Sequence, residues 1–228
     1  MAQHRIVRNI RRANPTLIAR LGNAGSATVH EAIGRRGFVG ASFRPIQQGA
    51  RLAGSAVTVS CHPGDNLMIH AAVEMCGEGD VLVVTNTAPS THGMFGELIA
   101  TSLMARGTRA LIMDAGVRDT AELRELGFAV WSQHVSCQGT VKASPGSVNV
   151  PVVLGAVTVY PGDVVVADDD GVVVVPLAEA EWASGQCDAR EAKEAATRKR
   201  LAAGELGVDL YNLRPLLESL GVDYVDGP

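Results

Sequence analysis

Apolar positions along the chain switch between two periods. Leu17, Ile18 and Leu21 recur at helical spacing, and "GSATVHEAIG" follows with Ser26 or Thr28 as N-cap and Glu31 at capping-box distance from Thr28. The first forty residues therefore predict helices, and Pro45 with its flanking glycines predicts a loop. Then "GSAVTVSC" reads as a strand, "HPGDN" as a turn, and "LMIHAAVEMC" as a helix capped by Asp65 or Asn66 and closed by Gly77 and Gly79. The alternation continues. "VLVVTN" is a strand, "APSTHGMFG" a loop, "ELIATSLMARG" a helix, "ALIMDAG" a strand, "TAELRELG" a helix and "AVWSQ" a strand. Short connections between such elements predict parallel β-α-β units.

After residue 135 the helical signal stops. "TVKASPGSVNVPVVLGAVTVYPGDVVVADDDGVVVVP" is a run of short β-branched strands broken by Pro-Gly turns, which predicts antiparallel hairpins or a small barrel-like layer. Leu177 to Ala203 then form an alanine-rich charged helix, and "LYNLRPLLESLG" a shorter one. The fold class is α/β: a single domain, 1–228, with a mixed sheet and layered helices. It carries helical arms at about 1–40 and about 177–228. Long terminal helices with apolar positions and no partner in their own chain usually dock on another subunit, so a homo-oligomer is expected.

Composition narrows the function classes. At 228 residues, 46% apolar and 19% charged, the chain is globular. A net charge of −4 and a pI near 5.9 argue against a nucleic-acid surface and suit a small-molecule ligand. No apolar run reaches about 18 residues, so no membrane span is expected. The basic start, "MAQHRIVRNIRRANP", lacks the apolar stretch of a secretory signal and reads as an amphipathic helix using Ile6 and Ile10. Cysteines 61, 76, 137 and 187 form no C-x-x-C pair, which fits free thiols in a cytoplasmic protein.

In parallel α/β units ligands collect at the carboxyl ends of strands. Asp114, Arg118 and Asp119 follow the strand "ALIMDAG", and the loop "APSTHGMFG" should share that edge. Glu97 opens the next helix, where the helix dipole favours its charge and the first-turn N–H groups of Glu97, Leu98 and Ile99 can hold a carboxylate or phosphate. Oxygen ligands of this kind favour Mg²⁺ or Mn²⁺ over zinc. The competing reading makes Arg118 and Asp119 surface charges of a turn, with Asp119 capping helix 120–126. "ADDDG" at 167–171 reads as a hairpin turn and not a metal cluster. His70 reads as a core residue and Asp65 as a cap. Asn66 is a candidate for the anion site if its loop borders the same edge. His92, in a loop before a helix, offers a minor phosphohistidine-carrier reading. No P-loop, G-x-G-x-x-G or G-x-S-x-G occurs.

Glu97, twenty residues and then Arg118-Asp119 resemble the acid–Arg-Asp signature of the 4-hydroxy-4-methyl-2-oxoglutarate / 4-carboxy-4-hydroxy-2-oxoadipate aldolases. "GSATVHEAIGR", "RPIQQG", "PGDNLMIHAA", "DAGVRD", "GSVNVPV" and "PGDVVVADDDGVVVVP" resemble that family too, over nearly the whole chain. The related regulators of ribonuclease E activity share the fold but not reliably this residue set. The resemblance implies a swivelling-type β/β/α domain, assembled as a trimer or hexamer, and a class II pyruvate aldolase with oxaloacetate decarboxylase side activity. It implies Mg²⁺ or Mn²⁺ bound directly by Asp119, and through water by Glu97 and by Glu194 of a neighbouring subunit, with Glu191 the alternative. It also implies that Arg118, Gly96, Leu98, Ile99 and Asn66 meet the 2-oxo acid substrate. Glu97 stands where aspartate is common in the family. No lysine stands out as a Schiff-base residue: the stretch from Phe95 to Leu123 has none, and Lys142 lies in the strand-rich segment.

Overall fold

The computed structural model describes residues 4–227. Residues 4–14 run extended instead of forming the expected amphipathic helix. The Val7 N–H donates to the Val148 carbonyl at 3.1 Å, and the Val148 N–H to the Arg5 carbonyl at 2.9 Å. The basic residues find a partner that an isolated helix could not supply: Arg12 Nε and Nη2 both donate to buried Asp80, each at 2.8 Å. Helix begins only at α1 (Pro15–Ala24), where the Asn14 side chain accepts the Thr16 N–H at 2.8 Å and proline occupies the first turn.

α2 (Ser26–Ala32) is not capped by Ser26 or Thr28. Its cap comes from 142 residues away: the Asp168 carboxylate accepts the Ser26 N–H at 2.7 Å and also the Ser26 hydroxyl. Ser26 is itself helical, so its side chain is free to join the acceptor rather than replace it.

The parallel core is built from β2 (Leu52–Cys61), β3 (Asp80–Asn86), β5 (Ala110–Val117) and β6 (Ala129–Val135), after the short β1 (Arg44–Pro45) and with β4 (Gly93–Phe95) inserted before β5. Helices α3 (Leu67–Val73), α4 (Glu97–Met104) and α5 (Thr120–Leu126) make the crossovers. Downstream come β7 (Ser147–Val148), the hairpin β8 (Val152–Leu154) and β9 (Val157–Val159), and the hairpin β10 (Val164–Asp168) and β11 (Gly171–Val175). The nine-stranded sheet runs β1-β6-β5-β3-β2-β10-β11, with β4 beside β5 and β7 beside β2. β2, β3, β5 and β6 are parallel; β10 joins β2 antiparallel. The mixed sheet with layered helices is the architecture expected.

Strand residues alternate between two buried faces. Leu82, Val84, Leu111, Met113 and Val130 pack under α3, α4 and α5. Val81, Val83, Ile112 and Trp131 face the β8–β9 hairpin and Phe43. "ADDDG" is a hairpin turn, as expected: Asp168 opposes Gly171, and Asp169 accepts the Gly49 N–H at 2.9 Å.

A first compact unit ends at Cys187 and a second begins at Asp188, within helix α6 (Ala180–Ala202). The second unit continues through α7 (Gly207–Leu210) and α8 (Arg214–Ser219). Its side chains pair locally, Arg190 with Glu194 at 2.9 Å, Arg200 with Glu205 and Arg214 with Asp209. It leaves Leu206, Tyr211, Leu216, Leu220 and Tyr224 exposed. All four cysteines are free thiols. Among the described residues no helix is long and apolar enough to cross a membrane.

Candidate functional site

Each of the four parallel strands is followed by a loop at the carboxyl edge of the sheet, and each loop delivers residues to one small cleft. The loop after β2 brings Asn66, and α3 adds His70; the segment after β3 brings Met94 and Gly96, and α4 adds Leu98 and Ile99. β5 brings Arg118 and Asp119, and the loop after β6 brings Lys142. The cleft measures about 90 Å³. This is the placement expected for ligand sites in α/β sheets.

Asp119 touches both neighbouring loops of the cleft. Its backbone is left-handed, φ 54° and ψ 41°, which aspartate tolerates better than most residues. Although it is the N-cap residue of α5, its side chain makes no capping bond to α5. Asp119 Oδ2 instead accepts the Glu97 N–H, the first of α4, at 3.2 Å. It also lies 3.6 Å from Arg118 Nε, within ion-pair range but beyond a hydrogen bond. The Arg118 N–H donates to the Phe95 carbonyl at 2.9 Å, which ties the two loops together. Gly96 permits the approach. A Cβ there would lie 2.2 Å from Asp119 Oδ2.

Of the expected site residues, Asn66, Gly96, Leu98, Ile99, Arg118 and Asp119 line the cleft, whereas Glu97 is not among its lining residues. Of the three first-turn N–H groups taken as open donors, that of Glu97 is already engaged by Asp119, which leaves Leu98 and Ile99 to serve an anion. Leu98 is 77% exposed. Glu97 Oε1 accepts the Thr101 hydroxyl at 3.0 Å. Asn66 is buried, and its Nδ2 donates to the Met94 carbonyl at 3.1 Å, which fixes the amide. Asp65 does act as a local cap: Oδ1 accepts the Leu67 N–H at 2.9 Å, while Oδ2 accepts the Ala143 and Ser144 N–H groups. Asp65 thereby anchors the loop carrying Lys142.

Asp114 does not belong to the site. β5 runs on to Val117, paired there with β6 on one side and with the short strand β4, read from sequence as loop, on the other. Asp114 therefore sits inside the strand, where its carboxylate accepts the Asn86 N–H at 3.0 Å and Nδ2–H at 2.8 Å. Burial still holds its pKa above the ordinary carboxylate range. Gly116 is needed at this junction, since a Cβ would meet the Thr91 and His92 carbonyls at 2.6 and 2.8 Å. His92 is half-buried, its Nδ1 3.4 Å from Ser90 Oγ.

Two site residues escaped sequence reasoning. His70 is exposed on the outer face of α3 and lines the cleft, contrary to its reading as core; partial burial and then the Lys142 charge depress its pKa. Lys142 is exposed and lines the same cleft as Arg118, although its segment reads as strand-rich. Glu194 and Glu191 lie on α6 in the second unit, where Glu194 pairs with Arg190. Among the described residues no group of three or more His, Cys, Asp or Glu could hold a metal.

A family model for RraA-like proteins, described as Aldolase/RraA, matches residues 26–174. A protein of Halalkalibacterium halodurans named "Putative 4-hydroxy-4-methyl-2-oxoglutarate aldolase" is 25% identical over 170 residues, covering 75% of this chain and 81% of its own. A Shewanella oneidensis protein of the same name is 36% identical over 121 residues, 53% of this chain and 73% of its own. Among solved structures, Streptomyces coelicolor RraAS2, described as an unusual member of the RNase ES inhibitor RraA protein family, is similar with a TM-score of 0.74 and 29% identity. That match covers 83% of this chain and all of RraAS2.

Proposed function

The chain belongs to the RraA-like Aldolase/RraA family, and from that premise we propose that it is a class II pyruvate aldolase. Its substrates would be 4-carboxy-4-hydroxy-2-oxoadipate, 4-hydroxy-4-methyl-2-oxoglutarate or both, with oxaloacetate decarboxylation as a side activity. One observation carries the reading: an arginine, an aspartate held against the start of a helix and the remaining first turn of that helix meet in one small cleft.

The donor set suits Mg²⁺ or Mn²⁺. These ions keep several waters and use one or two carboxylates, not a full protein cage. Asp119, 39% exposed at its side chain and given room by Gly96, would hold the ion, with Glu97 acting through water. Bound there, the dication would supply Lewis-acid stabilisation of developing negative charge.

The chain's own groups do the rest. Retro-aldol cleavage next to a ketone, or loss of CO₂ from oxaloacetate, leaves negative charge on a pyruvyl oxygen. Arg118 offers its guanidinium donors to that oxygen in a partly desolvated cleft. The N–H groups of Leu98 and Ile99, at the positive end of α4, bind the pyruvyl carboxylate. Asn66, its amide fixed by Met94, borders the bound acid. Glu97, acting through water, would steer the proton leaving the substrate hydroxyl. Lys142 adds positive potential for a multiply charged acid.

Docking of the second unit on another copy through its exposed Leu206, Tyr211, Leu216 and Leu220, as a trimer or hexamer, would bring Glu194 or Glu191 to a neighbour's site. Glu194 would then be shared with Arg190. The test is pyruvate release from oxaloacetate and from the two aldols, followed through lactate dehydrogenase. EDTA-treated protein should be inactive and regain activity with Mg²⁺ or Mn²⁺; full turnover in stripped protein removes the metal from the reading. The likeness to RraAS2 favours a second reading, a regulator that binds an RNase E-type enzyme. Capture of such an enzyme together with no lyase activity would select it.

A further inference from the structure

At the opposite, amino edge of the parallel sheet lies a second cavity, of about 540 Å³. Its floor comes from Ser55 of β2, its register partner Asp80 at the head of β3, and Arg109 just ahead of β5. One wall is the α1 face formed by Pro15, Ile18 and Ala19, at i, i+3 and i+4.

Several polar groups of this cavity are left open. Ser55 is 1% exposed, and its Oγ has no hydrogen-bond partner among the described residues, although buried polar groups are normally paired. Arg109 reaches across the head of β3 to β2, where its Nη1 donates to the Ala53 carbonyl at 3.3 Å. Its Nε and Nη2 have no partner among the described residues, and neither has the Glu78 carboxylate at the same cavity. Arg12 and Asp80 border the cavity too, but they neutralise each other through two hydrogen bonds of 2.8 Å. What stays open is a cation, Arg109, and an anion, Glu78, that share one cavity without pairing with each other. A plain carboxylic acid would face the like charge of Glu78, and a plain amine that of Arg109. A ligand with both charges beside an apolar body complements every open group.

The geometry points to a binding site for an α-amino acid with an aliphatic side chain. The ligand carboxylate meets Arg109, its ammonium meets Glu78 and its hydrocarbon lies on the α1 face, with the Ser55 hydroxyl as a further donor at the floor. The site is separate from the cleft that carries the proposed function and does not depend on that reading.

Saturation-transfer NMR on the full-length protein measures the Kd of L-leucine, of 4-methylpentanoate, which lacks the ammonium, and of 3-methylbutylamine, which lacks the carboxylate. The variants are Arg109→Met, Glu78→Gln, Ser55→Ala and Ala19→Phe, each with a thermal melt to control for folding. Leucine should bind saturably with a Kd of about 1 mM or tighter. Each analogue should bind about 10-fold or more weakly than leucine, as for loss of one charged hydrogen bond. Arg109→Met and Glu78→Gln should weaken leucine by a similar factor. Ser55→Ala should weaken it about 3-fold without lowering the ligand-free melting temperature, since the hydroxyl has no partner in the protein. Ala19 is exposed, so phenylalanine there leaves the core intact and crowds the cavity from the α1 side; it should abolish binding. No saturable binding of leucine, equal binding of either analogue, or full binding to Ala19→Phe overturns the inference. The aldolase reading stands or falls separately, on the assay of pyruvate release.

Discussion

Replacing Gly96 with alanine should spare the fold and remove most of the activity. The Gly96 backbone is extended, φ −160° and ψ −170°, so an alanine meets no conformational strain. The conflict is with the site alone. The new Cβ would stand 2.2 Å from Asp119 Oδ2 and 3.1 Å from Arg118 Cγ. Restoring an ordinary contact of about 3.4 Å requires the Asp119 carboxylate to retreat by about 1 Å. That retreat is cheap in stability, because the side chain is 39% exposed and can turn toward solvent. It forfeits the hydrogen bond from the Glu97 N–H, about 1 kcal/mol. Alanine's smaller unfolded-state entropy returns about 0.4–1 kcal/mol, so the melting temperature should barely move. Function is another matter. A displacement of about 1 Å in a reacting constellation lowers rates about 100-fold, equivalent to about 2.7 kcal/mol of barrier. The assay is the lactate dehydrogenase-coupled release of pyruvate from oxaloacetate, run beside a thermal melt. Wild-type kcat/KM in a Gly96→Ala protein of wild-type stability would refute the placement of Asp119 in the chemistry.

Arg118→Ala should lower kcat/KM by about 10²–10³-fold, near 3 kcal/mol, as for loss of a donor to a developing oxyanion; wild-type turnover removes Arg118 from the mechanism. Lys142 lies in the cleft, so a Schiff-base route is open to direct test. Borohydride with pyruvate should leave the protein mass unchanged, and a pyruvyl adduct on Lys142 would replace the metal mechanism with an imine one. Asp114→Asn tests the electrostatics of β5. Burial raises this carboxyl above its ordinary value of 3.8, despite the opposing Asn86 hydrogen bonds. The native chain therefore keeps a proton that the unfolded chain has released, and stability is lost as pH rises through the folded value. Asparagine retains an acceptor for Asn86 without the charge, so its melting temperature should gain on wild type from about pH 4 to pH 7. A gap that widens on acidification instead contradicts that sign.

The alternation of periods made the parallel core legible, because each strand, loop and helix carries its own local signal. Arg118 and Asp119 stand at a boundary between elements, where pattern alone reads equally as a turn with a capping aspartate; the family resemblance, not local signal, separates the two readings. What stayed hidden depends on contacts distant in sequence. Asp168 caps a helix that starts at Ser26, and no spacing rule joins them. Arg12 finds Asp80, so a segment with helical amphipathicity stays extended. β4 is three residues long and exists only because β5 offers it a partner. Lys142 had a usable signal. Four parallel strands imply four loops at one edge, and Lys142 follows the fourth; its β-branched neighbours carry the stronger signal, which is for strand.

The choice between a capping aspartate and a ligand aspartate turns on what Asp119 forgoes. A turn shaped only for stability would place this carboxylate on the N–H groups of its own helix, a contribution of about 1 kcal/mol. It would also avoid a left-handed backbone outside glycine, which costs roughly 1–2 kcal/mol. Asp119 does neither. Its carboxylate crosses to a different helix, beside an arginine, at a spot cleared by a glycine. The rigid surroundings sustain this arrangement: Phe95 accepts the Arg118 N–H through its carbonyl while its ring stacks on Phe128 at 5.8 Å inside the core. Two local rules of stability broken at one residue, and upheld by packing around it, are the pattern expected where a side chain is reserved for a ligand.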